Sequence, residues 1–185
     1  MEEERQFEKE NIDRIIQEIK ESDQFSSNIE KAYYLYLRLG KIYKYNGNIK
    51  YRNHNTKEEL DEKLAIYNEK TSEKGEAACN RFSLEYQRAL HELGINVECN
   101  FIEIVGEFKH VSLQFQDENG VWYYTDLTDD LMHIQTGMRT RSFGISLEQI
   151  REKGQRASLI VKYLEKKQSE DPNRKWGSIP EEDLM

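Results

Sequence analysis

The hydrophobic pattern changes its period at Gly94, and this change limits the chain to a fold that joins helices to a sheet. Before Gly94, apolar residues recur at helical spacing from Phe82 to Leu93, and glycine commonly follows the end of a helix. After it, apolar and polar residues alternate from Ile95 to Phe101, as in a strand with one buried face. The sequence therefore predicts an α+β fold in which a helix leads directly into a sheet.

Two further strands are predicted on either side of one tight turn. Apolar residues occupy every second position of 109–116, which places His110 on the opposite face from the apolar set. The segment 117–120 reads Asp-Glu-Asn-Gly, a hairpin signal, and 121–126 is the predicted return strand. We therefore expect an antiparallel sheet that follows the helix.

The length of the hairpin loop decides which polar residues share a face of this sheet. An odd loop centred on Glu118 places His110 directly opposite Asp126, because both lie the same number of residues from Glu118. A two-residue Asn119-Gly120 loop instead sends Asp126 to the apolar face. Any chemistry that joins His110 to Asp126 therefore requires an odd loop or a bulge that corrects the parity.

The flanking segments divide the chain into three parts. We predict an N-terminal amphipathic helix in 1–25, a main domain in 26–168 and a polar C-terminal tail in 169–185, mobile from Pro172 onward. The segment 129–141 is expected to be irregular. Packing of the N-terminal helix on the body is favoured over a partner-binding arm, because four isoleucines recur at helical spacing: Ile12, Ile15, Ile16 and Ile19.

Two segments between residues 41 and 75 carry weaker predictions. The tyrosine-rich segment 41–52 is expected to contribute to core packing, and the alternative is that it lines a substrate groove. The run that begins at Thr56 matches a capping box and predicts a short helix.

Composition excludes several classes of function. The formal net charge of −8 offers no broad basic face for phosphates, so we expect no nucleic-acid partner. No apolar run has the length of a membrane span, so we expect no membrane partner. The first residues lack the pattern of a secretory signal, and 2 cysteines are too few for a disulfide scaffold. We therefore expect a cytoplasmic protein, or one exported without a cleavable signal peptide.

A cysteine stands close to the expected start of the helix that ends before Gly94. Gly75, Ala77 and Ala78 come just before Cys79, and the apolar helical face begins at Phe82. Unpaired backbone N–H groups at a helix start stabilise a thiolate, the form of cysteine that attacks carbonyls. Cys79 is therefore a candidate nucleophile; the alternative is a small buried hydrophobic residue, the commoner role of a free cysteine.

A nucleophilic cysteine needs a base to take its proton and a group that orients the base. With an odd hairpin loop, His110 and Asp126 share a face and can form an imidazole–carboxylate hydrogen bond. In this hypothesis Cys79 and His110 form a thiolate–imidazolium pair, Asp126 sets the tautomer of the ring, and the Cys79 backbone N–H contributes to an oxyanion hole.

Other residues of the same types leave alternatives open. Asp129 and Asp130 are rivals to Asp126, although either can simply cap a turn. His133 is an alternative base, without a strand to position it. A zinc site built from the two cysteines and the histidines is a further alternative, but no close pair of ligands has metal-binding spacing. We therefore expect no metal and no cofactor.

The order of these elements resembles the transglutaminase-like branch of the papain-like cysteine enzymes. That family has a cysteine on a helix, then a histidine on one strand and an aspartate at the end of the next. The resemblance covers about residues 70–130 and rests on four segments: 78–82 (Ala-Cys-Asn-Arg-Phe), 90–97 (Leu-His-Glu-Leu-Gly-Ile-Asn-Val), 110–113 (His-Val-Ser-Leu) and 120–128 (Gly-Val-Trp-Tyr-Tyr-Thr-Asp-Leu-Thr).

The resemblance implies a papain-like core, with the nucleophile helix packed on an antiparallel sheet and flanked by N- and C-terminal helices. It assigns Cys79, His110 and Asp126 as nucleophile, base and orienting residue. The implied activity is that of a cysteine protease, amidase, glutamine deamidase or transamidase acting on a protein or peptide through a thioester. The small size resembles bacterial members. The alternative is an inactive member that serves as a protein-interaction module, with the N-terminal helix and segment 41–52 as its surface.

The sequence also departs from the family pattern. Ala77 stands where the family often has glycine, Val111-Ser112 replaces alanine-tryptophan after the histidine, and Leu127 replaces proline after the aspartate. The first two changes alter the walls near the nucleophile, so the substrate class does not carry over. The oligomeric state cannot be inferred from the sequence.

Overall fold

The computed structural model describes residues 2–42, 44–45, 76–77, 79–102, 110–153 and 155–184. The short helix predicted from Thr56 and most of the tyrosine-rich segment 41–52 lie outside these residues. The described residues form an α+β fold with a mixed sheet, which confirms the fold class predicted from the change of period at Gly94.

The described residues form helices and strands that are interspersed along the chain. The helices are α1 (Glu2–Glu21), α2 (Asn28–Ile42), α3 (Cys79–Glu92), α4 (Leu127–Gln135), α5 (Leu147–Arg151) and α6 (Gln155–Glu170), with a final 3-10 turn at Glu181–Leu184. The strands are β1 (Lys44–Tyr45), β2 (Glu76–Ala77), β3 (Val97–Ile102), β4 (His110–Gln116), β5 (Val121–Thr125), β6 (Phe143–Ile145) and β7 (Lys175–Trp176).

The larger sheet has the order β3-β4-β5-β6, with antiparallel neighbours throughout. Strand β7 pairs in parallel with the first half of β5, while β6 pairs with its second half. A separate small sheet joins β1 and β2 in parallel. The predicted strands around the hairpin are confirmed, and the parallel β7 was not expected.

Helices cover both faces of the larger sheet. On one face, α1 to α4 pack with Leu113, Phe115 and Tyr123 in the main hydrophobic core. On the other face, α5 and α6 pack over Tyr124 and Ile145 in a smaller core. Because both faces of the sheet are covered, polar residues that alternate with apolar residues along β3 and β4 are also removed from water.

The N-terminal helix packs on the body of the protein, as predicted. Its four isoleucines, Ile12, Ile15, Ile16 and Ile19, are at most 2% exposed and belong to the main core. The helix spans Glu2–Glu21 and so begins well before Ile12, the first of the four isoleucines.

The expectation of irregular chain in 129–141 is wrong, because α4 occupies the first part of it. Leu127, Leu131 and Ile134 recur at helical spacing and are buried on one side of α4. The side chain of Asp126 accepts a hydrogen bond from the Asp129 backbone N–H and caps the helix start. The acidic run after Asp126 therefore begins a helix.

The expectation of a mobile tail from Pro172 is also wrong. Strand β7 joins the sheet, and Ile179 is 8% exposed and lies in the main core. The Arg174 side chain is 7% exposed. Two-residue pairing of this kind depends on the rest of the sheet and leaves little trace in local sequence.

Candidate functional site

The β4–β5 hairpin has an odd loop, as the hypothesis of a His110–Asp126 pair requires. The loop is centred on Asn119, and Asp117 and Val121 close it through the Asp117 N–H and the Val121 carbonyl, 2.9 Å apart. Gly120 has a φ of +79°, which a three-residue hairpin loop needs at its last position.

The register differs from the predicted one by two positions. Leu113 pairs with Thr125, so the continuing register places Ser112, not His110, opposite Asp126. The prediction that His110 lies directly opposite Asp126 is therefore wrong. The two residues are diagonal neighbours on one face, a separation that a long side chain still bridges.

His110 and Asp126 nevertheless meet. The imidazole Nε2 lies 2.5 Å from Asp126 Oδ2. The His110 side chain is 20% exposed and that of Asp126 is 7% exposed, so the imidazole is the accessible member of the pair. A carboxylate that accepts from one ring nitrogen selects the tautomer of the imidazole and stabilises its charged form.

Asp126 is held on several sides. Its Oδ1 accepts from the Asp129 backbone N–H at 3.2 Å, and its backbone N–H donates to the Ser142 carbonyl at 2.8 Å. Its carbonyl accepts from the Tyr36 hydroxyl at 2.8 Å, and its Oδ2 accepts from the Tyr124 hydroxyl at 3.4 Å. The carboxylate therefore has little freedom to turn away from His110.

Asp130 has a different setting from Asp126. It is fully buried and accepts from the Tyr36 hydroxyl at 2.7 Å and from the backbone N–H groups of Arg141 and Ser142 at 2.6 and 2.8 Å. Burial raises the pKa of its carboxyl. His133 Nδ1 is 3.4 Å from Asp130 Oδ1, without hydrogen-bond geometry. Asp130 thus organises the chain after α4.

Asp129 is more exposed than Asp126 and lies beside the pair. Its Oδ2 is 2.6 Å from Lys153 Nζ and accepts from the Ser142 hydroxyl. Burial acts to raise the pKa of Asp129, but the hydrogen bonds from Lys153 and Ser142 outweigh it, and the pKa is lowered. The positive charge of His110 contributes in the same direction.

Cys79 is the first residue of α3, and its side chain lies outside the described ones. The buried Ser83 hydroxyl donates to the Val111 carbonyl at 2.9 Å, which joins the first part of α3 to the start of β4. Helix geometry puts the Cys79 backbone one turn, about 6 Å along the axis, before Ser83.

The position of α3 sets a condition on any contact between Cys79 and His110. The helix covers the face that carries Leu113 and Phe115, whereas His110 shares the other face with Ser112. Any contact between a thiol at the start of α3 and this imidazole therefore has to pass around the end of β4, where His110 is the first residue.

Cys99 is a free thiol in a setting that disfavours reactivity. It is half-buried, its Sγ lies 3.1 Å from Gln87 Oε1, and burial raises its pKa to about 11. At neutral pH it is protonated and a poor nucleophile. Among the side chains that the structure describes, no group of His, Cys, Asp and Glu is arranged to hold a metal ion.

Tyr124 and Ser112 lie next to Asp126 on the same face, and the sequence-based hypothesis gives neither a catalytic role. Period-two spacing from Asp126 back to Tyr124 indicates that these two residues share a face. No protein-family model, no curated protein and no solved structure matches the chain. In the described part of the chain, no helix has the length and apolar character to cross a membrane.

Proposed function

We propose that this protein transfers or hydrolyses acyl groups at an amide, with Cys79 as nucleophile, His110 as base and Asp126 as orienting residue. The observation that carries this proposal is the 2.5 Å contact between His110 and a carboxylate that is itself anchored. We also propose that the core is papain-like, of the transglutaminase-like branch.

The chemistry follows from the roles of the two ring nitrogens. Because Nε2 donates to Asp126, Nδ1 is the nitrogen that takes the thiol proton of Cys79. The thiolate attacks the amide carbonyl, and the charge on the carbonyl oxygen is stabilised by backbone N–H groups at the start of α3. The imidazolium returns its proton to the leaving amine, which leaves a thioester on Cys79.

A second acyl acceptor completes the cycle. His110 takes a proton from water or from an amine, which attacks the thioester and releases the Cys79 thiolate. Water gives a protease, amidase or glutamine deamidase, and an amine gives a transamidase. We propose a protein or peptide as the substrate.

The alternative of an inactive interaction module loses part of its surface in this structure. It relied on the N-terminal helix as a binding face, but the apolar face of α1 is buried against the body. A module of that kind also has no need for an accessible imidazole that is locked to a buried carboxylate.

The experiment is iodoacetamide labelling of Cys79 across pH, read by peptide mass spectrometry, in the wild type and His110→Ala. The proposal expects fast labelling below the pH range of a free thiol, lost in the variant, because the thiolate is paired with the imidazolium. Cys99 serves as the internal control in each sample. Slow labelling of Cys79 that the variant does not change would refute the pair.

A further inference from the structure

A row of fully buried polar side chains crosses the sheet on the face that carries His110. Asn100, Ser112 and Gln114 are each 0% exposed. Asn100 pairs with Ser112 in the β3–β4 register. Burying an amide or a hydroxyl is costly unless it is hydrogen-bonded, so the partners of this row indicate what it does.

Hydrogen bonds satisfy the amides of this row. Arg174 Nη2 donates to Gln114 Oε1 at 2.5 Å, and Gln114 Nε2 donates to Asn100 Oδ1 at 2.9 Å. Asn100 Nδ2 lies 3.4 Å from Ser112 Oγ, which accepts from it. Gln114 Nε2 also donates to Glu98 Oε2 at 3.3 Å, so Gln114 is held on both sides.

Tyr124 joins this face to the candidate site. It is the partner of Gln114 in the β4–β5 register, and its hydroxyl donates to Asp126 Oδ2 at 3.4 Å. The tyrosine is 2% exposed, and burial raises its pKa well above the usual value, so it remains a donor. The carboxylate that contacts His110 therefore accepts from a buried phenol beside the polar row.

Arg174 fixes one end of the polar row. Its guanidinium lies 4.0 Å from the centre of the Trp122 ring and 3.2 Å from Glu98 Oε2. Arginine stays charged at all relevant pH values. Gln114, the partner of Tyr124 in the register, is therefore held in place by a charged group.

We propose that Tyr124 is a positioning residue for the His110–Asp126 pair, through the hydrogen bond that its buried hydroxyl donates to Asp126 Oδ2. The Tyr124 hydroxyl donates to one lone pair of Asp126 Oδ2 and offsets part of the negative charge of the carboxylate next to His110. An effect of Tyr124 on turnover rests on the proposed function. Its effect on His110 and Asp126 does not depend on catalysis.

The test is an NMR titration of the His110 imidazole in the wild type, Tyr124→Phe, Ser112→Ala and Tyr123→Phe. Tyr124→Phe should move the His110 titration midpoint upward, about threefold in proton affinity, because Asp126 loses a donor and its charge is less offset. Ser112→Ala should move it by less, because the Tyr124 phenol and its contact with Asp126 remain.

Tyr123→Phe is the matched control and should leave the titration unchanged. Its hydroxyl donates to Asp117 at 3.0 Å, at the hairpin turn, and not to Asp126. The charged groups that face His110 among the described residues are Asp126 and Asp129, with Lys153 paired to the latter. All variants keep these groups.

An unchanged His110 titration in Tyr124→Phe would overturn the proposal, and so would an equal shift in Tyr123→Phe. Thermal unfolding confirms that each variant is folded before it is titrated. The titration needs no turnover, so it reports on the pair even in a protein without acyl-transfer activity. Conversely, a reactive Cys79 with an unchanged titration would leave the proposed function intact and remove Tyr124 from it.

Discussion

Asp126 has two separable tasks in this structure, and two substitutions should separate them. Its Oδ1 caps α4 and its Oδ2 meets His110. Asparagine has one acceptor oxygen, which can keep the cap, but its NH₂ group then faces His110 Nε2. The imidazole must accept there and carry its proton on Nδ1, the wrong tautomer to receive the Cys79 proton. Alanine removes both contacts.

The magnitudes follow from the contacts. Asp126→Ala loses an N-cap, about 1 kcal/mol, and leaves the partly buried His110 and Tyr124 donors without their acceptor, about 1–3 kcal/mol. The expected loss in free energy of unfolding is therefore about 2–4 kcal/mol, less than the whole stability of an ordinary domain. Asp126→Asn keeps the cap, so its loss should stay below about 1 kcal/mol.

The assay has two readouts on the same samples. Urea unfolding followed by circular dichroism gives the stability, and labelling of Cys79 at mildly acidic pH gives its reactivity. We expect both variants to lose reactivity, on the order of a hundredfold or more, and only alanine to lose much stability. Wild-type stability in Asp126→Ala would refute the cap and the buried contacts. Wild-type labelling in Asp126→Asn would refute the orienting role.

Three further predictions test other parts of the structure. Ile179→Ala should lower the free energy of unfolding in urea by about 2–5 kcal/mol, because Ile179 lies in the main core. Leu84→Ala, at an exposed position, should change it by less than about 0.5 kcal/mol. Equal effects would contradict the docking of the C-terminal segment. Burial acts to raise the pKa of Glu98, but its two cationic partners outweigh it and the pKa is lowered. The stability that Glu98 contributes is therefore present above the ordinary carboxyl pKa and is lost as the pH falls. Glu98→Gln should for this reason flatten the decline of the melting temperature in acid. An unchanged decline would show that the ion pairs contribute nothing. Because burial raises the pKa of Cys99 to about 11, its iodoacetamide labelling at neutral pH should be much slower than that of a free cysteine, and labelling at the free rate would contradict its burial.

Local patterns predicted the elements that carry strong periodicity. The four isoleucines of α1, the helix that ends before Gly94 and the alternation through β3 and β4 each predicted an element, and the structure confirms these elements. The predictions failed where local pattern and tertiary context disagree. The alternation indicated one buried face, but β4 is buried on both faces. The segment 129–141 was expected to be irregular, although Leu127, Leu131 and Ile134 are spaced to bury one side of a helix.

The candidate site was predictable only in part. The odd-loop alternative correctly placed His110 and Asp126 on one face, but it centred the loop on Glu118. The observed loop is centred on Asn119, with Gly120 at φ +79° as its last residue, and moving the centre by one residue shifts the pairing by two. The buried polar row could not be found, because Asn100, Ser112 and Gln114 alternate with apolar residues as on a strand that faces water. Only the packing of α5 and α6 on the second face turns that pattern into a buried network.

The most direct test of the account is whether Cys79 accepts an acyl group. The protein is mixed with p-nitrophenyl acetate, an activated ester that needs no knowledge of the natural substrate, and release of nitrophenolate is followed alongside peptide mass spectrometry. The account predicts a rapid burst of nitrophenolate close to one per protein molecule, with the acetyl group on Cys79, and loss of the burst in His110→Ala. Absence of a burst, acetylation at Cys99 or lysines alone, or a burst unchanged in His110→Ala would contradict it.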